Sequence, residues 1–363
     1  MKRKKSFHIF FLLVMTSLLS VLNACKHNDL IVTKENENFR PAADFIKNNY
    51  DLSLFAAAIE KSGLTAELNA EGSFTVLVPD NAAFNAIGIK RATDFDRMNS
   101  DSLKHLVRRH VLTQRLLFQD IPTNGIDIRY HTLAGTEVYC SLASYSKGNS
   151  AYPVNELYFN GSFVNRKDIT LSNGALHVLN RVMKSSPGNT VQSFLAKSTQ
   201  YSIFVSGLKK FGLWDQLAEG GPFTVYAPSN QEFENAGLTE AMIAGLDPSL
   251  YYAQRLFGVY ILKKRHLFIS DFRVLSVVNE SESNFNIPLE NDSWYIGINS
   301  TKSFPGNVFS YAISVTTAKD YPYDQISNVS SSLQSGIDIV VENGLVHDLQ
   351  GILVLPTQAL KQN

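Results

Sequence analysis

The strongest constraint in this 363-residue chain is an internal repeat. Ser53 to Phe84 aligns without a gap on Ser202 to Phe233, at an offset of 149 residues (202 − 53). Thirteen of the 32 paired positions are identical, among them Phe55/Phe204, Gly63/Gly212, Leu68/Leu217, Phe74/Phe223, Pro79/Pro228 and Asn81/Asn230. A second shared segment pairs Asn173-Gly174-Ala175-Leu176-His177 with Asn343-Gly344-Leu345-Val346-His347, at an offset of 170 (343 − 173). A period this long is the size of a whole domain, not of a solenoid unit. The chain therefore reads as two copies of one domain, 39–185 and 190–357, joined at the turn-forming Ser185-Ser186-Pro187-Gly188. The second copy carries about 21 extra residues between its shared motifs. Their expected place is an insertion around 280–335, which is rich in Ser, Asn and Tyr.

Within each copy, helical patterns come first and strand patterns follow. Leu54, Phe55, Ala58 and Ile59 fall on one helical face, and Gly63 is placed to end that helix. Phe74-Thr75-Val76-Leu77-Val78 and Phe223-Thr224-Val225-Tyr226-Ala227 read as buried strands stopped by Pro79 and Pro228. A capping box is expected at Ser229 and Glu232, and a simpler cap at Asp80. Leu103, Leu106, Val107 and His110 mark a longer amphipathic helix. Ile169-Thr170-Leu171 and Ile337 to Val341 lead into Asn-Gly, a hairpin signal. The order predicts an α+β fold, not a regular βαβ repeat.

The first residues carry an address. Lys2, Arg3, Lys4 and Lys5 precede an apolar run from Ile9 to Leu22, which ends at Asn23-Ala24-Cys25. Residues 1–24 read as an export signal. Cysteine directly after a small residue resembles a bacterial lipobox, which implies lipidation at Cys25 and a polar tether over 25–38. Two or more acyl chains hold a protein stably on a membrane. Basic and acidic residues number 33 each; without residues 1–24, which hold four basic and no acidic residues, the balance is 29 against 33. A net charge of −4 gives no electrostatic footprint for nucleic acid. Beyond Cys25 only Cys140 remains, so no intrachain disulfide is expected and Cys140 reads as a small buried residue.

Phe74-Thr75-Val76-Leu77-Val78-Pro79-Asp80-Asn81-Ala82-Ala83-Phe84, Asn173-Gly174-Ala175-Leu176-His177-Val178-Leu179 and their repeats resemble the two signatures of fasciclin (FAS1) domains. The resemblance implies two tandem FAS1-like domains, each a β-sandwich-like wedge with packed helices. It also implies an extracellular or surface protein acting in adhesion, binding proteins, matrix or polysaccharide. With the lipobox, the chain resembles surface lipoproteins of Bacteroidetes-type bacteria, some of which serve glycan uptake. A shorter family motif ending in Tyr-His is only partly kept, as Arg109-His110 and Val259-Tyr260. In animal relatives that region is tied to integrin recognition, and neither copy keeps the pair.

No Gly-x-Ser-x-Gly, Walker-type loop or His-Glu-x-x-His is present. Neither catalysis, a cofactor nor a metal is expected. His177, His347, Asn81 and Asn230 read as structural hydrogen-bonding groups. The expected ligand-binding residues are the aromatics in or beside the insertion, Trp294, Tyr311, Tyr321 and Tyr323, since rings on an exposed loop can stack on sugars or anchor a protein. The expectation is thus an exported lipoprotein of the outer membrane, on either of its faces, active in adhesion or ligand recognition. The alternative is a glycan-binding accessory of a polysaccharide-uptake system.

Overall fold

The computed structural model describes residues 39–145, 154–278, 285–289, 294–303, 308–319, 324–331 and 336–361. The first copy runs α1 (Ala42–Lys47), α2 (Ser53–Lys61), α3 (Thr65–Asn69), β1 (Phe74–Pro79), α4 (Asn81–Ala86), α5 (Ser100–Arg109) and β2 (Val111–Leu112). Strands β3 (Gly125–His131), β4 (Glu137–Tyr145), β5 (Val154–Phe159), β6 (Ser162–Leu171) and β7 (Gly174–Leu179) complete it. The second copy repeats the plan with α6 (Val191–Lys197), α7 (Ser202–Lys210), β8 (Phe223–Pro228), α8 (Asn230–Asn235), α9 (Glu240–Gly245), α10 (Ala253–Leu256) and β9 (Ile261–Lys263). It continues with α11 (Ile269–Val278), β10 (Phe285–Leu289), β11 (Trp294–Ser303), β12 (Val308–Thr316), β13 (Gln325–Ser331), β14 (Ile339–Val341) and β15 (Gly344–Leu349). The α+β organisation is as the repeat implied.

The first copy forms one seven-stranded sheet in the order β2-β1-β7-β6-β5-β4-β3. The second divides into β9-β8-β15-β14 and β10-β11-β12-β13. Each copy has one parallel pair at its centre, β1 with β7 and β8 with β15. All six residues of β1 are buried, because the sheet is covered on both sides. Val76 and Val78 face a core with Phe55, Phe84 and Leu106 from the helices. Leu77 points the other way, into a core with Cys140, Leu142, Leu157 and Phe159 from the meander. Cys140 is a fully buried free thiol, and burial raises its pKa well above the ordinary value.

The Asn-Gly signature has a steric cause. Leu171 pairs with Gly174 and Val341 with Gly344, so each hairpin turns at the two residues before the glycine. The glycine itself opens the closing strand against β1 or β8. A Cβ on Gly174 would lie 2.0 Å from the Phe74 carbonyl oxygen, and one on Gly344 would lie 2.1 Å from that of Phe223.

Two expectations are corrected. Ser229 makes no side-chain cap bond; its backbone carbonyl accepts the Glu232 N–H at 3.0 Å. Asp80 is the residue that caps, accepting the Ala83 N–H at 2.8 Å. Residues 280–335 are also not an appended loop, because the described part supplies the second copy's meander, β10–β13, where the first copy has β3–β6. Buried Trp294, Ile296 and Ile298 alternate along β11, and Tyr311, Ile313 and Val315 along β12. The many Ser and Asn elsewhere in 280–335 gave the stretch the composition of a loop, while the period of two in β11 and β12 is that of a strand. Part of the length excess falls earlier, where ten-residue α11 follows β9 and the first copy has only the single turn Phe118–Asp120.

Gly174→Ala is expected to cost about 3 kcal/mol or more in urea unfolding, because the clash is with backbone that cannot move without breaking the β1/β7 ladder. An unchanged unfolding midpoint would contradict this account.

Candidate functional site

The residues shared by the two copies bridge backbone segments, and they do so identically. Asn81 accepts the Leu54 N–H at 2.9 Å and donates to the Tyr50 carbonyl at 2.8 Å; Asn230 does the same with Ile203 (3.0 Å) and Thr199 (3.0 Å). Asn173 accepts from Ala42 at 3.1 Å and donates to Leu68 and Ala70. Asn343 accepts from Val191 at 2.7 Å and donates to Leu217 and Glu219. Asn81 and Asn230 each tie two segments together, and Asn173 and Asn343 three, satisfying groups that would otherwise be left without partners.

The histidines are held in the same way. His177 accepts the Asp168 N–H on Nδ1 (3.2 Å) and meets the Leu116 carbonyl with Nε2 (3.0 Å). His347 repeats this with Asp338 (3.0 Å) and Leu267 (3.1 Å). Nδ1 must be bare and Nε2 protonated, so both rings are neutral. Burial lowers both pKa values. Asp168 and Asp338 take left-handed backbone conformations, at φ 60° and 57°. Their carboxylates accept the N–H of Phe118 and Ile269, respectively. These asparagines and histidines are fully committed to the scaffold.

The expected ligand-binding aromatics fall differently. Trp294 is 6% exposed and Tyr311 is 2% exposed, so neither presents a ring to solvent. Trp294 packs under the Arg255 guanidinium, 4.8 Å from its ring centroid, and Tyr311 donates to the Asp348 carbonyl. The exposed-loop reading failed for these two because they alternate on the inner face of β11 and β12. Tyr321, Tyr323 and Cys25 lie outside the described residues.

What remains as a candidate site lies between the copies. Buried Asp271, on α11, accepts hydrogen bonds from the Ser141 hydroxyl of β4 and from the Phe268 N–H (2.8 Å). Arg181 of the first copy reaches Asp338 of the second at 2.7 Å and also donates to the Gly161 carbonyl. Arg273 lies 3.3 Å from Glu156. Beside these pairs is a cavity of about 210 Å³ lined by Arg109, Tyr139, Asn160, Ser185, Pro187 and Val340, among others. Arg109 donates to the Ser185 hydroxyl at 2.7 Å, while its Nε is buried without a partner. Burial pulls its pKa down to about 10. A second hollow of about 560 Å³ shares Arg109, Ser185 and Pro187 with it and is also lined by His105, one helical turn back on α5, whose Nε2 is likewise buried without a partner among the described residues.

Both copies match the fasciclin domain profile, over residues 50–185 and 199–354. The chain belongs to the fasciclin-domain family. Human stabilin-1 is 25% identical over 317 residues, which is 83% of this chain and 10% of that protein. Human periostin is 28% identical over 200 residues, 54% of this chain and 22% of its own length. The pig transforming growth factor-beta-induced protein ig-h3 is 29% identical over 184 residues, 49% of this chain and 24% of its own length. The chain thus spans a quarter or less of the length of these relatives. Among solved structures, a FAS1 domain pair from the insect cell adhesion molecule fasciclin I is similar, with a TM-score of 0.35 and 16% identity. That likeness covers 85% of this chain and 98% of the other.

The two fasciclin domains also explain the partly kept motif. His110 is fully buried, accepts the Met183 N–H on Nε2 (3.2 Å) and meets the Leu106 carbonyl with Nδ1 (2.8 Å). Burial pushes its pKa down to about 3. In the second fasciclin domain the Tyr260 hydroxyl accepts the corresponding Leu353 N–H at 2.8 Å, so a phenol replaces an imidazole at one structural task. Arg109 stands where the motif has tyrosine, which is the one sequence signal that pointed at the cavity. Asp271, Ser141 and Arg181 had no such signal, because their partners lie in the other copy.

Arg181→Ala is expected to destabilise the chain by about 3 kcal/mol, since it leaves the Asp338 carboxylate buried without its counter-ion. Adding Asp338→Asn should recover part of that loss, and a double-mutant cycle with no coupling would refute the pairing.

Asp271 gives a pH signature. Burial raises its carboxyl pKa to about 7. The folded chain therefore keeps a proton that the unfolded chain releases near pH 4, and this contribution to stability declines as pH rises from about 4 to about 7. The buried neutral histidines act with the opposite sign at low pH, so the readout is the difference between Asp271→Asn and the parent. The variant should match the parent at pH 4 and exceed it at pH 8 by on the order of 3 kcal/mol. A pH-independent difference would contradict the burial of an acid there.

Proposed function

We propose that the chain is an exported, lipid-tethered adhesion or recognition protein whose two fasciclin domains present a shared face to an extracellular ligand. The observation that carries this reading is the family match over both copies, in a fold whose shared Asn and His residues serve the scaffold and leave recognition to other surface residues. Fasciclin domains are extracellular binding modules, as the sequence resemblance implied. Binding is favoured over catalysis because the matched histidines are locked in backbone hydrogen bonds with no bare nitrogen toward solvent. Cys25 is the proposed lipidation site, and the apolar run before it the proposed export signal. Among the described residues no helix is long and apolar enough to cross a membrane. Outer-membrane placement and a Bacteroidetes-type source rest on the lipobox-like segment alone. The polysaccharide-uptake alternative keeps only Tyr321 and Tyr323 of its four aromatics, since Trp294 and Tyr311 are buried.

Two measurements test this. Expressed in a Gram-negative host with an alkyne-tagged palmitate, the chain should be labelled and sediment with membranes, whereas Cys25→Ala should be neither. Equal labelling of the two would remove the anchor from the reading. The purified chain is also expected to bind extracellular matrix proteins on a mixed protein and glycan array. Binding confined to glycans would favour the uptake alternative, and turnover of an arrayed substrate would overturn the binding reading.

A further inference from the structure

The cavity between the copies holds a cation with unused hydrogen-bonding capacity. Among the described residues Arg109 has one hydrogen-bond partner, the Ser185 hydroxyl, and that partner is neutral. Its Nε–H is buried and has no partner among them. Carboxylates do line the same cavity, Glu137 and Glu342, and neither forms an ion pair with Arg109. Glu137 lies 3.4 Å from Arg129, and Glu342 is exposed at the rim. A guanidinium presents its donors as a planar fork, which matches the two oxygens of a carboxylate. Arg109 lines the cavity with only one of its donors taken by a protein group among the described residues, which gives the guanidinium the chemistry of an anion seat.

The walls narrow the choice of anion. Val138, Pro187, Val340 and Val341 supply an apolar lining suited to a short aliphatic stem. Among the described residues Tyr139 is the one aromatic lining the cavity, and its ring is already engaged by His266 (centroids 4.0 Å apart) and by the Arg129 guanidinium (5.4 Å). It has little face left to stack on a sugar. Asn160 spends its amide oxygen on the Tyr139 N–H (2.8 Å). A volume of about 210 Å³ fits one side chain and the backbone that carries it. Ser185 and Ser186 add hydroxyls beside the fork.

We propose that this junction cavity binds a carboxylate side chain of a protein ligand, with Arg109 as the anchor and the Val/Pro walls holding its aliphatic stem. The site needs both copies, since Arg109, Tyr139 and Ser185 come from the first and Val340 and Val341 from the second. It deepens the recognition reading above, and its test is independent of any adhesion assay.

The test follows the Arg109 Nε–H resonance of the ¹⁵N-labelled full chain, assigned by its loss in Arg109→Lys. The probes are the peptide acetyl-Val-Glu-Val-amide, its Gln counterpart and methyl glucuronoside. The Glu peptide is expected to give a saturable shift with a midpoint of about 1–10 mM, the Gln peptide to bind about tenfold or more weaker, and Arg109→Lys to weaken the Glu peptide by a similar factor. Glu342→Gln, which removes a like charge from the rim, should tighten it two- to threefold. Equal shifts from the Glu and Gln peptides, or none up to about 50 mM, would overturn the site. Saturation by the glucuronoside without the Glu peptide would overturn the assignment to a protein side chain. Should Arg109→Lys fail to fold, the resonance is assigned by through-bond correlation on the parent chain, and the Glu-against-Gln comparison decides alone. Array binding that persists after the site is overturned would leave the adhesion reading standing, and saturable peptide binding without array binding would do the reverse.

Discussion

Each domain depends on a parallel pairing between one of its early strands and its last. Phe74 meets Gly174 and Pro79 meets Leu179, about a hundred residues apart along the chain. Loop-closure entropy makes such a contact costly, so it must be held by more than its own ladder. The holding groups are the ones the repeat preserves. Asn173 joins the closing turn to the start of α1 and to the end of α3, and Asn81 joins the end of β1 to the entry of α2. Gly174 permits the approach, and His177 fixes the loop after β2 against the closing strand. The copies keep these polar bridges along with the apolar core positions, because a substitution at a bridge leaves buried donors without acceptors.

The fold was legible for that reason. Internal comparison found the residues that both copies keep, and these mark strand, turn and helix entry. The Gly63 helix end, with φ 72°, appears where expected, as do both hairpins. Local rules failed where tertiary context chose among equal options. Ser229 had the composition of a cap, yet its backbone did the work that Asp80 does with a side chain. The meander of the second domain was read as an insertion because its many Ser and Asn outweighed the alternation of Trp294, Ile296 and Ile298. The candidate cavity was almost illegible, since it is assembled from segments more than two hundred residues apart, and only Arg109 departs from an expected pattern.

The junction also shows how duplication becomes division of labour. Asp120 and Asp271 hold matched places, accepting the Leu117 and Phe268 N–H groups. Asp120 is exposed; Asp271 is buried beneath β4 and takes the Ser141 hydroxyl as well. Likewise Asp168 and Asp338 share a backbone task, and only Asp338 adds an ion pair with Arg181 of the other copy. The same scaffold residue thus became an interface residue in one copy without giving up its first role.

The turn that closes the first domain is also where the chain enters it. Ser172 donates to the Arg40 carbonyl at 3.1 Å, and Asn173 accepts the Ala42 N–H. Chain entry is therefore bonded to the hairpin that leads directly into the exit strand, β7. Tension applied between residue 40 and the second domain would load this turn and the strand after it together with α1, which is packed in the same core as α2, α4 and α5. The corner where chain entry meets the closing turn would thus share the pull with the core and with the ladders that hold β7.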